Sequence, residues 1–260
     1  MILYFAGCES EYYAEACRRA GGRNSLQSAY YLGYKKPPNA YGFPGFLLDS
    51  GGFTLRKNAE PCDVGRYLSY LNEFDVETAF NMDTLCWRES QENQALLERE
   101  TRTRILPVFH YSDWVESREV GLMELADRYP YFAIAALGAP GSVERVRFYD
   151  DVFARIGTRN RIHGLGATAI DHMLRYPFYS VDSTTWINAR RFGVWIEFKA
   201  GRIVKHQSAR VMASLATPKI TDVNALNYEC DRFITQAVKA YQQFEDYCTR
   251  LWAQRGIVWT

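Results

Sequence analysis

Two aspartates each close an apolar segment, a position from which side chains can do chemistry. Asp182 ends the segment 178–182, and Asp49 ends the segment 46–49 before Gly51 and Gly52. In α/β barrels the catalytic residues lie at the carboxyl ends of strands. Glycines there let the backbone approach a ligand closely. We therefore expect Asp182 and Asp49 to belong to an active site.

Short apolar segments recur along the chain, and most are followed by a helix-like stretch. Seven of them are predicted strands: 2–6, 46–49, 78–83, 105–110, 131–137, 161–165 and 178–182. The predicted helices between them are 62–74, 88–103, 113–128, 142–156 and 168–176. This alternation predicts an α/β fold, a (βα)8 TIM-type barrel. A doubly wound sheet is the second choice, because no Gly-x-Gly-x-x-Gly opens a helix after the first strand.

Length and composition favour one globular domain. The chain has 260 residues, of which 47% are hydrophobic, enough to bury one large core. We expect a single barrel domain over 1–260. Segment 194–207 predicts a hairpin that turns at Ala200-Gly201, and 221–254 predicts one or two closing helices.

Charge and cysteine content narrow the classes of function. The net charge of +1 gives no global attraction to nucleic acid or membrane, so a polyanion site must be a local patch. The six cysteines form no Cys-x-x-Cys, which predicts reduced thiols in a cytoplasmic protein without a structural metal. No apolar segment approaches membrane length, so we expect no membrane partner. We also expect no cofactor.

Four segments follow one another in an order known from one enzyme family. They are Asp49-Ser50-Gly51-Gly52-Phe53, Phe80-Asn81-Met82-Asp83, His163-Gly164-Leu165-Gly166, and Asp182 with Thr185 and Asn188-Ala189-Arg190. Over roughly residues 46–193 the chain resembles the tRNA-guanine transglycosylases, whose fold is a modified (βα)8 barrel. The combination is more specific than any single motif.

The resemblance implies a role for each segment. Asp182 is similar to the family's nucleophile, and Asp49 to an acid near the reaction centre. Asp83 would read the edge of a guanine-like base, and Phe53 would stack on that base, with His163 as a second stacking candidate. The other implied base-pocket residues are Ser50, Gly51, His110, Gly138 and Gly164.

The departures from the family point to a subgroup. Members that act on tRNA carry a Cys-x-Cys-x-x-Cys and His zinc site after the nucleophile, whereas this chain offers only Cys230, Cys248 and His206 there. His110 stands in a Phe-His-Tyr segment where the family has Gln-Gly-Gly, and Leu137-Gly138 replaces a Gly-Gly-Leu stretch. A shorter, zinc-free chain looks most like the phage and bacterial DNA 7-deazaguanine transglycosylases. The partners implied are DNA, a 7-deazaguanine base and possible helper proteins.

The residues also support this chemistry directly. An aspartate can attack an anomeric carbon to form a covalent intermediate, which an incoming base then attacks. A second carboxylate can protonate the departing base and deprotonate the incoming one. A carboxylate suits the donor edge of guanine. The target nucleotide must be flipped or single-stranded. Its phosphates would meet the basic cluster Arg190, Arg191, Arg202 and Lys205.

Each assignment has a structural alternative. Asp182 and Asp83 could cap helices, and Asp49 could form a turn. His110, His163 and Phe53 could be core residues, and the basic cluster could be a solvated surface. Two other functions also stay open. One is a base exchanger or nucleosidase acting on tRNA or nucleosides, and the other is a non-catalytic binder of deazaguanine or nucleic acid.

Overall fold

The computed structural model describes residues 1–84, 86–117, 120–167, 169–206 and 223–259, without the side chains of 117 and 223–231. Nine parallel strands form one sheet that curls into a nearly closed barrel. They are β1 (Ile2–Ala6), β2 (Asn24–Ser28), β3 (Gly45–Asp49), β4 (Thr78–Phe80), β5 (Arg104–Leu106), β6 (Val108–His110), β7 (Tyr131–Ala135), β8 (Arg161–Gly164) and β9 (Ser180–Ser183). Their order is β5-β4-β3-β2-β1-β9-β8-β7-β6.

The seam of the barrel lies between β5 and β6, on either side of Pro107. Strand β5 pairs with β4, and β6 pairs with β7. Proline has no N–H to offer a ladder, but its carbonyl accepts the Ala133 N–H at 2.9 Å. The two short strands therefore fill one barrel position, giving eight positions in all. The predicted TIM-type barrel is confirmed.

Helices surround the barrel. They are α1 (Glu11–Arg19), α2 (Gly52–Lys57), α3 (Val64–Phe74), α4 (Trp87–Glu100), α5 (Tyr111–Ser117), α6 (Val120–Arg128), α7 (Ser142–Ile156), α8 (Ile170–Arg175) and α9 (Asn188–Arg191). Strands β10 (Trp195–Lys199) and β11 (Arg202–His206) form an antiparallel hairpin. One long helix, α10 (Val223–Gln254), closes the fold. Positions 118, 119, 168, 207, 221 and 222 of the predicted elements lie outside the described residues.

The structure contains a strand in each of the seven predicted segments and adds β2, which the sequence did not predict. Strand β2 reads Asn-Ser-Leu-Gln-Ser, and four of its five residues are buried. Its two side-chain amides are paired: Asn24 Nδ2 donates to the Leu3 carbonyl, and Gln27 Nε2 to the Cys8 carbonyl. A polar sequence can thus form a buried strand, because buried polar groups cost little once they are hydrogen-bonded.

Two apolar layers hold the barrel. Alternating strand residues point inward, as the two-residue period of strands requires, and the inner layer includes Tyr4, Phe80, Leu106 and Tyr131. The outer layer lies between strands and helices, where α10 packs on the hairpin and on β1. Among the described helices, none combines the length and the apolar character needed to cross a membrane.

Candidate active site

Three carboxylates converge at the carboxyl end of the barrel strands. Asp49 is the last residue of β3, Asp83 follows β4, and Asp182 lies in β9. The pKa of Asp49 is raised to about 7, first by burial, then by the charge of Asp83, and to a smaller extent by Asp182. A Cβ added at Gly52 would lie 3.0 Å from the Asp83 carbonyl oxygen, so the turn after β3 packs on Asp83. The sequence prediction that these acids share one site agrees with this geometry.

Asp182 is oriented through one of its two oxygens. Its Oδ1 accepts the Gly166 N–H at 2.7 Å and lies 3.4 Å from His163 Nε2. The residue is 8% exposed, on the inner surface of the barrel. These contacts fix the direction of the carboxylate.

His163 supports Asp182 from inside the barrel. Its Nδ1 lies 2.8 Å from Ser180 Oγ, which in turn lies 2.8 Å from the Tyr131 hydroxyl. The His163 ring meets the Tyr4 ring edge-on and is fully buried. A fully buried ring has no face open to a base, so the structure replaces the predicted stacking role of His163 with a role in positioning Asp182.

Asp83 is held by two basic groups that the sequence did not connect with it. His110 Nε2 lies 2.5 Å from Asp83 Oδ2, and Arg56 Nη2 lies 3.3 Å from the same oxygen. Arg56 also donates to the Asp83 carbonyl. Burial alone would raise the pKa of Asp83, but the His110 hydrogen bond and the charges of His110 and Arg56 lower it below its usual value. Both partners therefore contact the same carboxylate oxygen, Oδ2.

His110 is itself anchored in the fold. Its backbone N–H donates to Asp113 Oδ2 at 2.8 Å across the first turn of α5. Burial lowers the pKa of the His110 ring, but the hydrogen bond to Asp83 and the charges of Asp83 and Asp113 together raise the pKa above its usual value. Burial raises the pKa of Asp113 to about 6. His110 was predicted to face the base; the structure places its ring against the Asp83 carboxylate instead.

The turn after β3 depends on glycine. Asp49 Oδ2 accepts the Gly51 N–H at 2.9 Å, and Gly51 has a φ of +86°. A Cβ on Gly51 would lie 2.4 Å from the Tyr30 Cβ. The group that the Gly51 backbone approaches closely is therefore Tyr30. Ser50 is fully buried, and its Oγ accepts the Gly52 N–H at 3.3 Å. Ser50 therefore holds the turn, and the prediction that it contacts the base is corrected.

The remaining predicted pocket residues divide into two groups. The Phe53 ring is 49% exposed at the start of α2, and Gly138 is exposed after β7, so both are accessible to a ligand. Gly164 is buried, and a Cβ there would lie 2.7 Å from Ala167 Cβ and 2.8 Å from the Phe178 ring. Gly164 is therefore required for packing, which corrects its predicted place in the base pocket.

The predicted basic cluster is not one patch. Arg190 stacks over Tyr12 at 3.9 Å, and the exposed Arg191 lines a cleft of about 510 Å³ that also includes Thr184, two residues beyond Asp182. Arg202 instead forms a 2.9 Å ion pair with Asp171 of α8. Lys205 lies on β11 with Arg202. Of the four, Arg191 shares a cleft with Thr184, whereas Arg202 is engaged by Asp171, which corrects the prediction for Arg202.

Within the described ranges, no group of three or more His, Cys, Asp or Glu side chains is arranged to hold a metal ion. Neither a scan against protein-family models nor a search of curated proteins finds a match to this chain.

Proposed function

We propose that this protein is a base-exchanging transglycosylase, which replaces guanine in DNA by a 7-deazaguanine derivative through a covalent aspartyl-sugar intermediate. The observation that carries the proposal is the set of three carboxylates, Asp49, Asp83 and Asp182, in three different environments at one barrel mouth. Carboxylates whose surroundings separate their pKa values can take separate acid, base and binding roles.

Asp182 would be the nucleophile. Its Oδ1 is occupied by Gly166 and His163, so we assign the attack on the anomeric carbon to Oδ2. Attack forms the bond between oxygen and carbon, and the bond from that carbon to guanine N9 breaks with its electron pair leaving on the base. The incoming base then attacks the same carbon and releases the Asp182 carboxylate.

Asp49 would move the protons of both steps. A group with a pKa of about 7 is present in both protonation states near neutral pH, which suits an acid that later acts as a base. Protonated Asp49 would give its proton to the departing guanine. The resulting carboxylate would take the N9 proton of the incoming base, so the cycle ends with Asp49 protonated again.

Asp83 would select the base. Its lowered pKa keeps it a hydrogen-bond acceptor, and its Oδ1 can accept from the N1–H and exocyclic amine of a guanine-type base. Adenine presents no N1–H to such an acceptor. The exposed Phe53 ring offers a surface on which the base could stack.

DNA is proposed as the polymer because of the chain's resemblance to the zinc-free DNA enzymes, and Arg190 and Arg191 on α9 are the proposed phosphate contacts. A base inside a duplex cannot reach a barrel mouth, so the target nucleotide would be extruded or unpaired. Helper proteins that open the duplex are compatible with this requirement.

The test is incubation of the purified protein with a labelled 7-deazaguanine and, in separate reactions, duplex DNA, single-stranded DNA and tRNA. We expect label in DNA, and none with Asp182→Asn. Asp127→Asn is the matched control, because Asp127 carries the same group in an exposed ion pair with Arg159. Label in tRNA alone would support the base-exchange reaction but identify tRNA, and not DNA, as the substrate. Label in no polymer, under conditions where the base binds, would argue for the non-catalytic binder.

A further inference from the structure

A second, smaller cleft opens beside Asp182, between the loops that follow β7 and β8. Its lining includes Arg145, Tyr149, Gly166 and His172. Gly166 is the residue whose N–H donates to Asp182. The pKa of Tyr149 is raised to about 12, first by burial and in smaller part by the charge of Asp182. The cleft therefore adjoins the proposed nucleophile.

Arg145 places one positive charge in the lining of this cleft. Its lining residues include Arg145 and His172 but no Asp or Glu. Within the described part of the chain Arg145 forms no ion pair, although its neighbour on α7, Arg147, pairs with Glu144 at 2.6 Å. Arg175 on α8 likewise pairs with Asp150, at 2.8 Å. Arg145 is thus an exposed cation beside a cleft, without a carboxylate to neutralise it.

The walls of the cleft are held in place by packing. The His172 ring meets the Tyr149 ring edge-on, with 5.2 Å between centroids, and Tyr149 is buried against Phe178. Burial, and then the charge of Arg145, lower the pKa of His172. A neutral imidazole still donates one N–H, while Arg145 offers up to five.

The size of the cleft limits what it can hold. Its volume is about 140 Å³, which leaves room for a phosphate or a carboxylate. Oxyanions are the ligands that a guanidinium fork binds best.

We propose that the cleft formed by Arg145, Tyr149 and His172 binds an oxyanion of the substrate next to Asp182. The choice of substrate rests on the proposed function. Two sources carry this chemistry: a phosphate flanking the target nucleotide, or a carboxylate on the 7-position of the incoming base. Arg145 would bind the oxyanion directly and take no part in breaking or forming bonds at the sugar.

The experiment compares two ligand pairs by equilibrium binding to the whole protein. The first pair is deoxyguanosine and its 5′-phosphate, and the second is a 7-deazaguanine bearing a carboxylate and one bearing a neutral amide. We expect one charged ligand to bind about tenfold or more tightly than its neutral partner, because a hydrogen-bonded charge contributes that much. Arg145→Gln should remove this preference, and Arg145→Lys should restore part of it. Arg147→Gln should leave it unchanged, since Arg147 already pairs with Glu144.

A preference in the first pair assigns the cleft to phosphate, and a preference in the second assigns it to the base substituent. Equal binding within both pairs, or a preference that survives Arg145→Gln, overturns the proposal. The label-exchange assay is a separate readout. A charge preference that depends on Arg145, found without label exchange, would support the oxyanion site and reject the transglycosylase function. Label exchange without the charge preference would support the transglycosylase function and reject the oxyanion site.

Discussion

The two sides of the barrel mouth treat their acids differently. On the side of β3 and β4, Asp83 is neutralised by His110 and Arg56, and its neighbour Asp49 has its pKa raised to about 7. On the side of β8 and β9, Asp182 receives a Gly166 N–H and a buried His163. One side shifts the pKa values of two carboxylates in opposite directions, and the other sets the direction of a single carboxylate.

This difference shows how one barrel can give equivalent side chains unequal tasks. All three are aspartates, so their intrinsic chemistry is the same. Their surroundings come from different strands and loops, and these set burial, charge and hydrogen bonding separately. Variants that change one side and not the other therefore test the proposed division of roles.

Asp182→Asn should have the largest effect. Asparagine keeps the shape and can still accept the Gly166 N–H, but its amide cannot form the covalent bond to the sugar. Exchange should fall by roughly 10⁴-fold or more, as for other essential groups, with the thermal unfolding temperature nearly unchanged. Steady-state exchange and a thermal melt measure the two. An Asn variant with wild-type turnover would remove Asp182 as the nucleophile.

Asp49→Asn should slow exchange by about 10²- to 10⁴-fold, the usual contribution of a general acid or base. The wild-type release of guanine should fall as the pH rises through about 7, because the departing base needs protonated Asp49. The variant should lose this pH dependence. Single-turnover release of labelled guanine across pH measures both effects, and an unchanged profile would assign the proton to another group.

The same substitution should change stability with pH. Burial raises the pKa of Asp49 from the ordinary 3.8 to about 7, so the folded state binds this proton more tightly than the unfolded state. The contribution is complete below about pH 4 and is lost as pH rises through about 7. Relative to the wild type, Asp49→Asn should gain stability between these values. Urea unfolding at several pH values tests this, and a constant difference would contradict it.

Asp83→Ala should affect binding more than chemistry. Loss of a charged hydrogen-bond acceptor should weaken affinity for the free 7-deazaguanine by about 10- to 100-fold, with a smaller change in the rate of the bound complex. Asp83→Asn is the second variant, because its amide keeps the side-chain volume and can still accept a hydrogen bond from His110 or Arg56. Isothermal titration of the base measures the effect, and wild-type affinity in both variants would exclude Asp83 as the base reader.

The two histidines offer a matched pair of the same substitution. His163→Gln should lower the rate of exchange by about tenfold, through poorer orientation of Asp182, with little change in base affinity. His110→Gln should instead weaken the affinity for the base with little change in the rate of exchange, because Asp83 loses its partner at 2.5 Å. Separate measurement of kcat and KM distinguishes the two, and identical effects would contradict the division between the sides of the mouth.

The smallest effect is expected from Arg202→Gln. Arg202 pairs with Asp171 through two exposed side chains, and such pairs contribute about 0–1 kcal/mol to stability. Binding to single-stranded DNA should change less than twofold, whereas Arg191→Gln should weaken it several-fold. Equal losses in the two variants would restore the single basic cluster predicted from the sequence.

The sequence predicted the barrel and the three strand-end acids because both depend on local patterns. Apolar segments of strand length repeat along the chain, and Asp49, Asp83 and Asp182 each follow one. The signal failed for β2, whose Asn24 and Gln27 are satisfied by partners distant in the sequence. No local pattern reports such partners.

The hydrogen-bond network around Asp83 could not be predicted from the sequence either. His110 is 27 residues from Asp83 along the chain. Arg56 lies on α2, a helix that was not among those predicted from the sequence. The predicted strand 161–165 placed His163 in a strand, as β8 confirms, but it did not indicate which way the ring points. A strand's two-residue period fixes alternation, and only the packed barrel fixes which set faces inward.

The contact between the first strand and the last helix determines when the protein can finish folding. Strand β1 pairs with β9, and the Leu3 N–H donates to Glu245 Oε1 across 242 residues of chain. Closing such long loops is slow, and domains rich in distant contacts fold slowly. Strand β1 is synthesised well before β9 and Glu245. Until those partners are made, β1 keeps apolar surface uncovered, and aggregation competes with folding.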